Sequence, residues 1–211
     1  MKIQPRVSTI KAELVELYRR VAPATLGHQK DLRFMDSGIK PVYRRCRLVG
    51  PALTVRAPGG VDAGVLNEVT DLMRPGDVIV IDRCGDTEHA CFGEFRALKH
   101  LEFGIEGWVI DGATCDAVAI EDMQFPTFSR TVSALVAKLV GLQGEVNTPV
   151  ICGGVVVNPG DLVIGDDDGV VVLSPTEAQE LIATCLEKEE KEVEMRKRYA
   201  PLLEKRLNRR A

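Results

Sequence analysis

Two short apolar runs, each followed directly by an aspartate, constrain the fold more than any other feature of this sequence. Residues 78–81 and 108–110 have the length and composition of strands that are covered on both faces of a sheet. A segment with helical spacing at 93–103 separates them, a short helix is predicted at 116–123, and a further strand starts at 125–128. This alternation predicts right-handed crossovers and a parallel sheet with helices packed on it.

The residues before the apolar run at 78–81 have the patterns of two further helices and one strand. The predicted elements are a helix at 7–21, a strand at 48–55, a helix at 63–73 and a turn at 74–77. Ser8 or Thr9 is the expected cap of the first helix. Gly50 and Pro51 interrupt the strand, which predicts either a bulge or a position at the edge of the sheet.

The chain after Thr148 changes character. Three short β segments are predicted at 149–157, 161–165 and 169–173, and they are too close together for helices to fit between them. A long charged helix at 176–208 follows, with a thin apolar stripe that indicates either a solvated helix lying on the domain or an arm packed on a neighbouring subunit. The sequence thus predicts one α/β domain over 1–211, with a parallel half, a compact β half and a C-terminal helical arm at 176–211.

Charge and composition exclude several classes of partner. A net charge of -4 and an aromatic content of 5% argue against nucleic acid and against an anionic membrane surface as partners. The sequence has no secretory signal and no apolar run long enough to cross a bilayer. Its six cysteines form no CxxC pair, which favours reduced thiols and a cytoplasmic location.

Acidic residues follow both buried strands, where open α/β sheets bind their ligands. Asp82 and Asp86 come after the first strand, and Asp111 and Asp116 after the second. Between them Gly93 opens a helix, whose free N–H groups and positive dipole end suit a carboxylate or phosphate. The pattern predicts a divalent metal with an anionic substrate, although helix caps and solvated turns would use the same acids.

An ordered series of motifs across residues 48–175 resembles the RraA-like family. The motifs are Gly50-Pro51-Ala52-Leu53-Thr54-Val55, Pro75-Gly76-Asp77-Val78, Phe92-Gly93-Glu94, Val109-Ile110-Asp111-Gly112-Ala113, Phe125-Pro126, Gly153-Gly154-Val155, Asn158-Pro159-Gly160-Asp161 and Asp168-Gly169-Val170. The family includes class II 4-hydroxy-4-methyl-2-oxoglutarate/4-carboxy-4-hydroxy-2-oxoadipate aldolases and RraA regulators of RNA degradation. The resemblance implies a swivelling β/β/α fold and a homotrimer or dimer of trimers with active sites between subunits.

The resemblance also implies a site for Mg²⁺ or Mn²⁺. The family aldolases carry an acid, twenty intervening residues and then Arg-Asp, which places Glu94 and Asp116 at the acids and Cys115 at the arginine. By this resemblance Asp116 binds the metal directly and Glu94 holds its waters. The pyruvate carboxylate is received by the backbone amides of Gly93, Glu94, Phe95 and Arg96.

The missing arginine leaves the chemistry at Cys115 open. The thiol either replaces the arginine without a role of its own or acts as a nucleophile, which would need His89 or His100 nearby as a base. If the chain is an active lyase, another cation must reach the substrate, and we expect Arg83, with Arg96 second. Both could equally be solvated loop charges.

Three functions follow from these residues. The first is a metal-dependent lyase that acts on a small 2-oxo acid, either by retro-aldol cleavage to pyruvate or by oxaloacetate-type decarboxylation. No lysine is predicted at the two strand ends, so a Schiff base is not expected. The second is a regulator of RNA processing, and the third a non-catalytic binding protein of the same fold, which the cysteine at position 115 favours.

Overall fold

One continuous sheet unites the parallel and antiparallel parts of the chain in the computed structural model, which describes residues 1–6, 10–29, 31–60, 63–138, 141 and 143–207. The strands are β1 (Lys2–Ile3), β2 (Arg33–Phe34), β3 (Lys40–Pro41), β4 (Leu48–Arg56), β5 (Val78–Asp82), β6 (Gly107–Thr114), β7 (Thr127–Val132), β8 (Glu145–Val146), β9 (Val150–Cys152), β10 (Val155–Val157), β11 (Leu162–Asp166) and β12 (Gly169–Leu173). The helices are α1 (Ala12–Tyr18), α2 (Pro23–Leu26), α3 (Glu94–Glu102), α4 (Ala117–Asp122) and α5 (Pro175–Leu207), with two 3₁₀ helices at Gly64–Asn67 and Thr70–Leu72.

The strand order confirms the predicted α/β class. The sheet runs β2-β12-β11-β4-β5-β6-β7-β3, and β4 to β7 are parallel neighbours, whereas β11 and β12 are antiparallel. The β9–β10 hairpin, a separate two-stranded sheet, turns at Gly153 and Gly154, both with positive φ. A parallel half and a compact β half therefore meet along β4.

Strand β4 lies in the middle of the sheet, but its Gly-Pro pair has a paired strand on one side, since the pairing with β5 on the other side begins only after Pro51. Its first half pairs with β11, where Pro51 faces Leu162, and its second half pairs with β5 from Ala52 onward. Proline is tolerated here because the strand exchanges one partner for another at this point, so no ladder N–H is required of it. A side chain at Gly50 would place its Cβ 2.2 Å from the Gly76 carbonyl oxygen.

Three other predicted elements differ from the structure. The helix predicted at 63–73 is two 3₁₀ helices, in a stretch whose Val65, Leu66 and Val69 are packed in the core. The first helix begins at Ala12 rather than at residue 7, and its predicted caps, Ser8 and Thr9, lie outside the described residues. Strand β6 continues to Thr114 instead of ending at Asp111, with an irregularity in its pairing with β7 between Ile110 and Ala113.

The long helix α5 starts one residue earlier than predicted, and Asn208 lies outside the described residues. Ser174 and Glu177 form a reciprocal capping box, with a 2.6 Å bond from the Ser174 N–H to the Glu177 carboxylate. Its first half packs on the domain through Ala178, Ile182 and Cys185, and the rest is exposed. Within the described part of the chain, no helix is long and apolar enough to cross a membrane.

Two apolar clusters cover the two faces of the sheet. Residues of β11 and β12 alternate between them: Val163 and Val172 belong to the larger cluster, whereas Ile164 and Val171 belong to the smaller one beneath α1, α2 and α5. The larger cluster contains the aromatic residues Phe92, Trp108, Phe125 and Phe128. It supports the carboxyl ends of the parallel strands, where the candidate site lies.

Candidate functional site

A cavity of about 570 Å³ opens beside the start of α3 and the turn between β6 and α4. Of the residues predicted for the site, those that line it are Gly93, Phe95, Arg96, Cys115 and Asp116. Asn67, Phe92 and Lys99 line it as well. The topology produces this convergence because α3 follows β5 and α4 follows β6, and the carboxyl ends of neighbouring parallel strands meet at one edge of the sheet.

Asp116 joins the two helices that border the cavity. It occupies the N-cap position of α4 with φ 56° and ψ 39°, a left-handed conformation that aspartate tolerates better than most residues. Its Oδ2 accepts a hydrogen bond of 2.9 Å from the backbone N–H of Glu94, the first residue of α3. The carboxylate therefore lies at the positive end of α3, where negative charge is stabilised.

Gly93 allows the aspartate to approach so closely. A Cβ at this position would lie 2.2 Å from Asp116 Oδ2 and 2.5 Å from Cys115 Sγ. The backbone at Gly93 is extended, with φ -160°, so the requirement for glycine is one of space rather than of backbone conformation. The Phe92-Gly93-Glu94 motif thus has a steric explanation.

Cys115 is a neutral thiol in this setting. Its Sγ lies 3.4 Å from the Phe92 carbonyl oxygen and 3.3 Å from Asp116 Oδ2. Burial and the neighbouring Asp116 carboxylate raise the pKa of this thiol to about 12. A protonated thiol is a poor nucleophile and cannot replace a guanidinium.

The histidines considered as a base for Cys115 are engaged elsewhere. His89 Nδ1 is 3.1 Å from Asp86 Oδ1, in the loop after β5. His100 is fully buried and accepts a 2.9 Å hydrogen bond from the indole N–H of Trp108. The arrangement does not favour the nucleophile interpretation of Cys115.

The side chain of Glu94 is not part of the cavity wall. The contribution of Glu94 that the structure shows is its backbone N–H, which binds Asp116. Glu94 and Asp116 are thus joined by a hydrogen bond from the Glu94 backbone N–H to the Asp116 carboxylate, and of the two carboxylates only that of Asp116 lines the cavity.

Arg83 does not reach the cavity, which corrects the expectation that it lies in a loop facing the crevice. Its side chain is fully buried, and its guanidinium donates to the carbonyls of Ala57 and Gly60 and to the carboxylate of Asp86 at 2.9 Å. A buried guanidinium requires such partners, and these hold it under the loop after β5. Burial raises the pKa of Asp86, but hydrogen bonds from His89 and Glu88 and the Arg83 charge outweigh it and hold that pKa low.

The remaining acids at the strand ends also have structural partners, as the alternative of caps and turns predicted. Asp82 Oδ1 accepts from the N–H of Cys84 at 2.7 Å. Asp111 lies inside β6, where its carboxylate binds Arg130 and the N–H of Gly153. Asp111 therefore ties the β9–β10 hairpin to the parallel strands rather than facing the cavity.

Two cations on α3 do line the cavity. Arg96 Nη2 donates a 2.9 Å hydrogen bond to Asn67 Oδ1, and its guanidinium carbon lies 5.4 Å from the centre of the Phe92 ring. Lys99, one turn further along α3, also lines the cavity, although it does not lie at either of the two strand ends, where no lysine was predicted. Burial lowers the pKa of Arg96, which still leaves the guanidinium charged at neutral pH.

Asn67 is one of the cavity residues that the sequence did not predict, as is Lys99. Asn67 lies in the stretch predicted as one regular helix, where nothing in its spacing distinguishes it. An asparagine inside a predicted helix is unfavourable, and this was the available signal.

The donor set fits a metal that keeps most of its ligands as water and substrate. Among the described residues, no three His, Cys, Asp or Glu side chains converge as a ready-made metal cage. Asp116 offers one carboxylate, and it lines the cavity, which has room for water and substrate beside it. Mg²⁺ is bound in this way in many proteins, through one or two carboxylates and several waters.

Comparison with known proteins places this chain in a family. The family model described as "RraA-like: Aldolase/RraA" matches residues 19–172. A Halalkalibacterium halodurans protein named "Putative 4-hydroxy-4-methyl-2-oxoglutarate aldolase" is 35% identical over 193 residues, covering 91% of this chain and 90% of the relative. An uncharacterised protein of Methanocaldococcus jannaschii is 34% identical over 165 residues, covering 77% and 78% of the two chains.

A solved structure supports the same assignment. Streptomyces coelicolor RraAS2, described as an unusual member of the RNase ES inhibitor RraA protein family, superposes with a TM-score of 0.79 at 30% identity. The match covers 90% of this chain and 98% of that one. Sequence and structure agree, and the chain belongs to the RraA-like family.

Proposed function

We propose that this protein is a divalent-metal-dependent lyase that releases pyruvate from a 2-oxo acid, by retro-aldol cleavage or by decarboxylation of an oxaloacetate-type substrate. The observation that carries the proposal is the contact between Asp116 and the first N–H of α3, in a cavity that also contains Arg96. A carboxylate at a helix N-terminus beside a cation can hold a metal and still leave positive groups for an anionic substrate.

Each cavity residue has a role in this proposal. Asp116 holds the Mg²⁺ or Mn²⁺, and the backbone N–H of Glu94 holds the Asp116 carboxylate in place. The N–H groups of Gly93 and Phe95 receive the substrate carboxylate at the start of α3, since the N–H of Glu94 is bonded to Asp116 and that of Arg96 to the Gly93 carbonyl. A bound divalent ion supplies a Lewis acid, which stabilises the enolate charge that both reactions develop when the carbon–carbon bond breaks.

A relative of similar length supports this choice of reaction. The Halalkalibacterium halodurans protein carries an aldolase name and covers nearly the whole chain. We extend that reaction class to this protein as a proposal, because Asp116 is retained at the metal-binding position of the family aldolases.

The second candidate is a non-catalytic or regulatory member of the family. The neutral thiol of Cys115, at the position of the family arginine, favours it because one positive charge of the aldolase pattern is missing. The likeness to RraAS2, from an RNase inhibitor family, points the same way. Asp116 counts against it, since the RraA regulators lack the metal-binding aspartate.

Pyruvate release decides between the two candidates. The assay uses oxaloacetate and 4-hydroxy-4-methyl-2-oxoglutarate, with Mg²⁺, with Mn²⁺ and with a chelator. We expect metal-dependent release from at least one substrate, and loss of both metal binding and release in Asp116→Asn with an unchanged thermal transition. No release from either substrate, or equal metal affinity of the variant by calorimetry, would contradict the lyase proposal.

We also propose a homotrimer or dimer of trimers in the cytoplasm, with no nucleic acid or membrane as partner. The exposed apolar side chains of Phe95, Val118 and Val136 support the assembly, since Phe95 and Val136 line the cavity and Val118 lies in the first turn of α4 beside it. The six free cysteines support a reducing compartment. A monomeric mass by light scattering at micromolar concentration would contradict the assembly.

A further inference from the structure

The guanidinium of Arg96 is held in place without being neutralised. Its hydrogen-bond acceptor is the side-chain oxygen of Asn67, an uncharged group from the first 3₁₀ helix, at 2.9 Å. By contrast, three other arginines near the carboxyl ends of the strands are paired with carboxylates: Arg56 with Glu145, Arg83 with Asp86, and Arg130 with Asp36 and Asp111. An amide fixes direction and leaves the positive charge available, whereas a carboxylate would cancel it.

The ring of Phe92 completes the support. The guanidinium carbon of Arg96 lies over this ring at 5.4 Å, and the ring is fixed in turn by Trp108, with centroids 4.4 Å apart. Arg96 is therefore held on one side by a rigid aromatic group and at one N–H by Asn67. Its remaining guanidinium donors make no hydrogen bond to another of the described residues, so they can bind a ligand in the cavity that it lines.

We infer that Arg96 is the carboxylate-binding cation of this cavity and that Asn67 is the positioning residue that aims it. The assignment to a 2-oxo acid rests on the proposed function, but the binding of a carboxylate by Arg96 does not. A planar guanidinium fixed at one edge favours a carboxylate that it can meet with parallel hydrogen bonds. Asn67 acts through Arg96, so its contribution to binding must disappear when Arg96 is absent.

Direct binding of oxalate tests this inference without requiring turnover. Trp108 is the single tryptophan of the chain and packs on Phe92, so its fluorescence reports ligand binding in the cavity. Calorimetry measures the same binding independently. We expect Arg96→Gln to weaken oxalate binding about tenfold to a hundredfold, the range of a charge-assisted hydrogen bond. Arg96→Lys should recover part of the affinity, and Arg198→Gln, which removes an arginine that lies over Tyr199 on α5, should leave it unchanged.

Variants of Asn67 separate positioning from charge. Asn67→Asp places a carboxylate at the guanidinium and should weaken oxalate binding as much as Arg96→Gln does. Asn67→Ala should weaken it less, and the double variant Asn67→Ala/Arg96→Gln should bind no more weakly than Arg96→Gln alone. Additive losses in the double variant, or wild-type affinity in Arg96→Gln, would overturn the inference.

The outcomes for binding and for reaction are distinguishable. If the wild type releases no pyruvate but oxalate binding depends on Arg96 and Asn67 as stated, the lyase proposal fails and this inference stands. If the wild type is an active lyase and Arg96→Gln leaves its KM and kcat unchanged, this inference fails and the lyase proposal stands. In an active enzyme, Asn67→Ala should raise KM more than it lowers kcat, because ground-state carboxylate binding is what it supports.

Discussion

Trp108 donates its indole N–H to Nδ1 of His100 at 2.9 Å, entirely within the core beneath the cavity. Because Nδ1 is an acceptor, the neutral ring carries its proton on Nε2, which is buried and has no partner among the described residues. Burial, with Arg96 and Lys99 as smaller causes, lowers the pKa of His100 to about 3. Protonation of His100 would require the bond from Trp108 to break.

This pair predicts a loss of stability in mild acid. The unfolded chain takes up a proton at His100 near pH 6.5, whereas the folded chain does so only near pH 3. His100 therefore does not destabilise the folded chain well above pH 6.5, and its destabilising effect grows as the pH falls from 6.5 towards 3. Between pH 7 and pH 5 the free energy of unfolding should drop by about 2 kcal/mol from this group.

Urea unfolding at the two pH values measures that drop. His100→Gln retains an acceptor for Trp108 and does not titrate, so it serves as the matched variant. We expect the difference between pH 7 and pH 5 to be smaller in His100→Gln by about the same 2 kcal/mol. An identical pH dependence in both proteins would show that His100 is not the group responsible.

Gly93→Ala should abolish activity through Asp116. The added methyl group would lie 2.2 Å from Asp116 Oδ2, so the Asp116 carboxylate must move away from the N-terminus of α3. The backbone of Asp116 is already in the left-handed region. We expect a loss of stability of about 1–3 kcal/mol, as for other overpacked sites, together with weaker Mn²⁺ binding. Calorimetry with Mn²⁺ and a thermal scan of the same sample separate the two effects, and unchanged metal affinity would count against the role of Gly93 as a spacer.

Much of the fold was predictable because its signals are local. The apolar runs of β5 and β6, the Gly93 start of α3 and the long α5 all depend on composition and periodicity within a few residues. The failures involve tertiary contacts. Asp111 faces the β9–β10 hairpin because β6 continues past it, and the two 3₁₀ helices replace a regular helix where they pack above the larger core.

The prediction placed Asp116 at the cavity, where it lies, but it named Arg96 only second to the buried Arg83, and the side chain of Glu94 is not part of the cavity wall. Asp116 and Gly93 followed from a motif with fixed spacing, which resemblance to a family can supply. Whether Arg83 or Arg96 reaches the cavity depends on which carbonyls and carboxylates surround each guanidinium in three dimensions. The three hydrogen-bond partners of Arg83 come from two loops, and Ala57 is 26 residues away from Arg83 along the chain. No local sequence pattern predicts a contact over that separation.

Arg83→Met should therefore act on stability rather than on the reaction. It would remove the guanidinium from a largely buried Asp86 carboxylate, which keeps the N–H bonds from Gly60, Glu88 and His89, and it would take this donor from the carbonyls of Ala57 and Gly60, at a cost of about 3 kcal/mol. Urea unfolding should show this loss, while kcat/KM per folded molecule stays within about threefold of wild type. A normal unfolding midpoint with a hundredfold lower kcat/KM would restore Arg83 to the catalytic role that the sequence indicated.

Cys115→Arg tests whether the cavity needs one guanidinium or two. The Cys115 sulfur lies 3.3 Å from Asp116 Oδ2, so an arginine at this position would add a cation beside the same carboxylate. If Arg96 already supplies the charge, Cys115→Arg in the wild-type background should change kcat/KM little, whereas in Arg96→Gln it should recover about tenfold or more of the loss. Cys115→Met, long but uncharged, controls for side-chain volume and should recover nothing. Activity that appears only in Cys115→Arg, from a wild type that has none, would instead identify the natural protein as a metal-binding relative that has lost the aldolase reaction with its arginine.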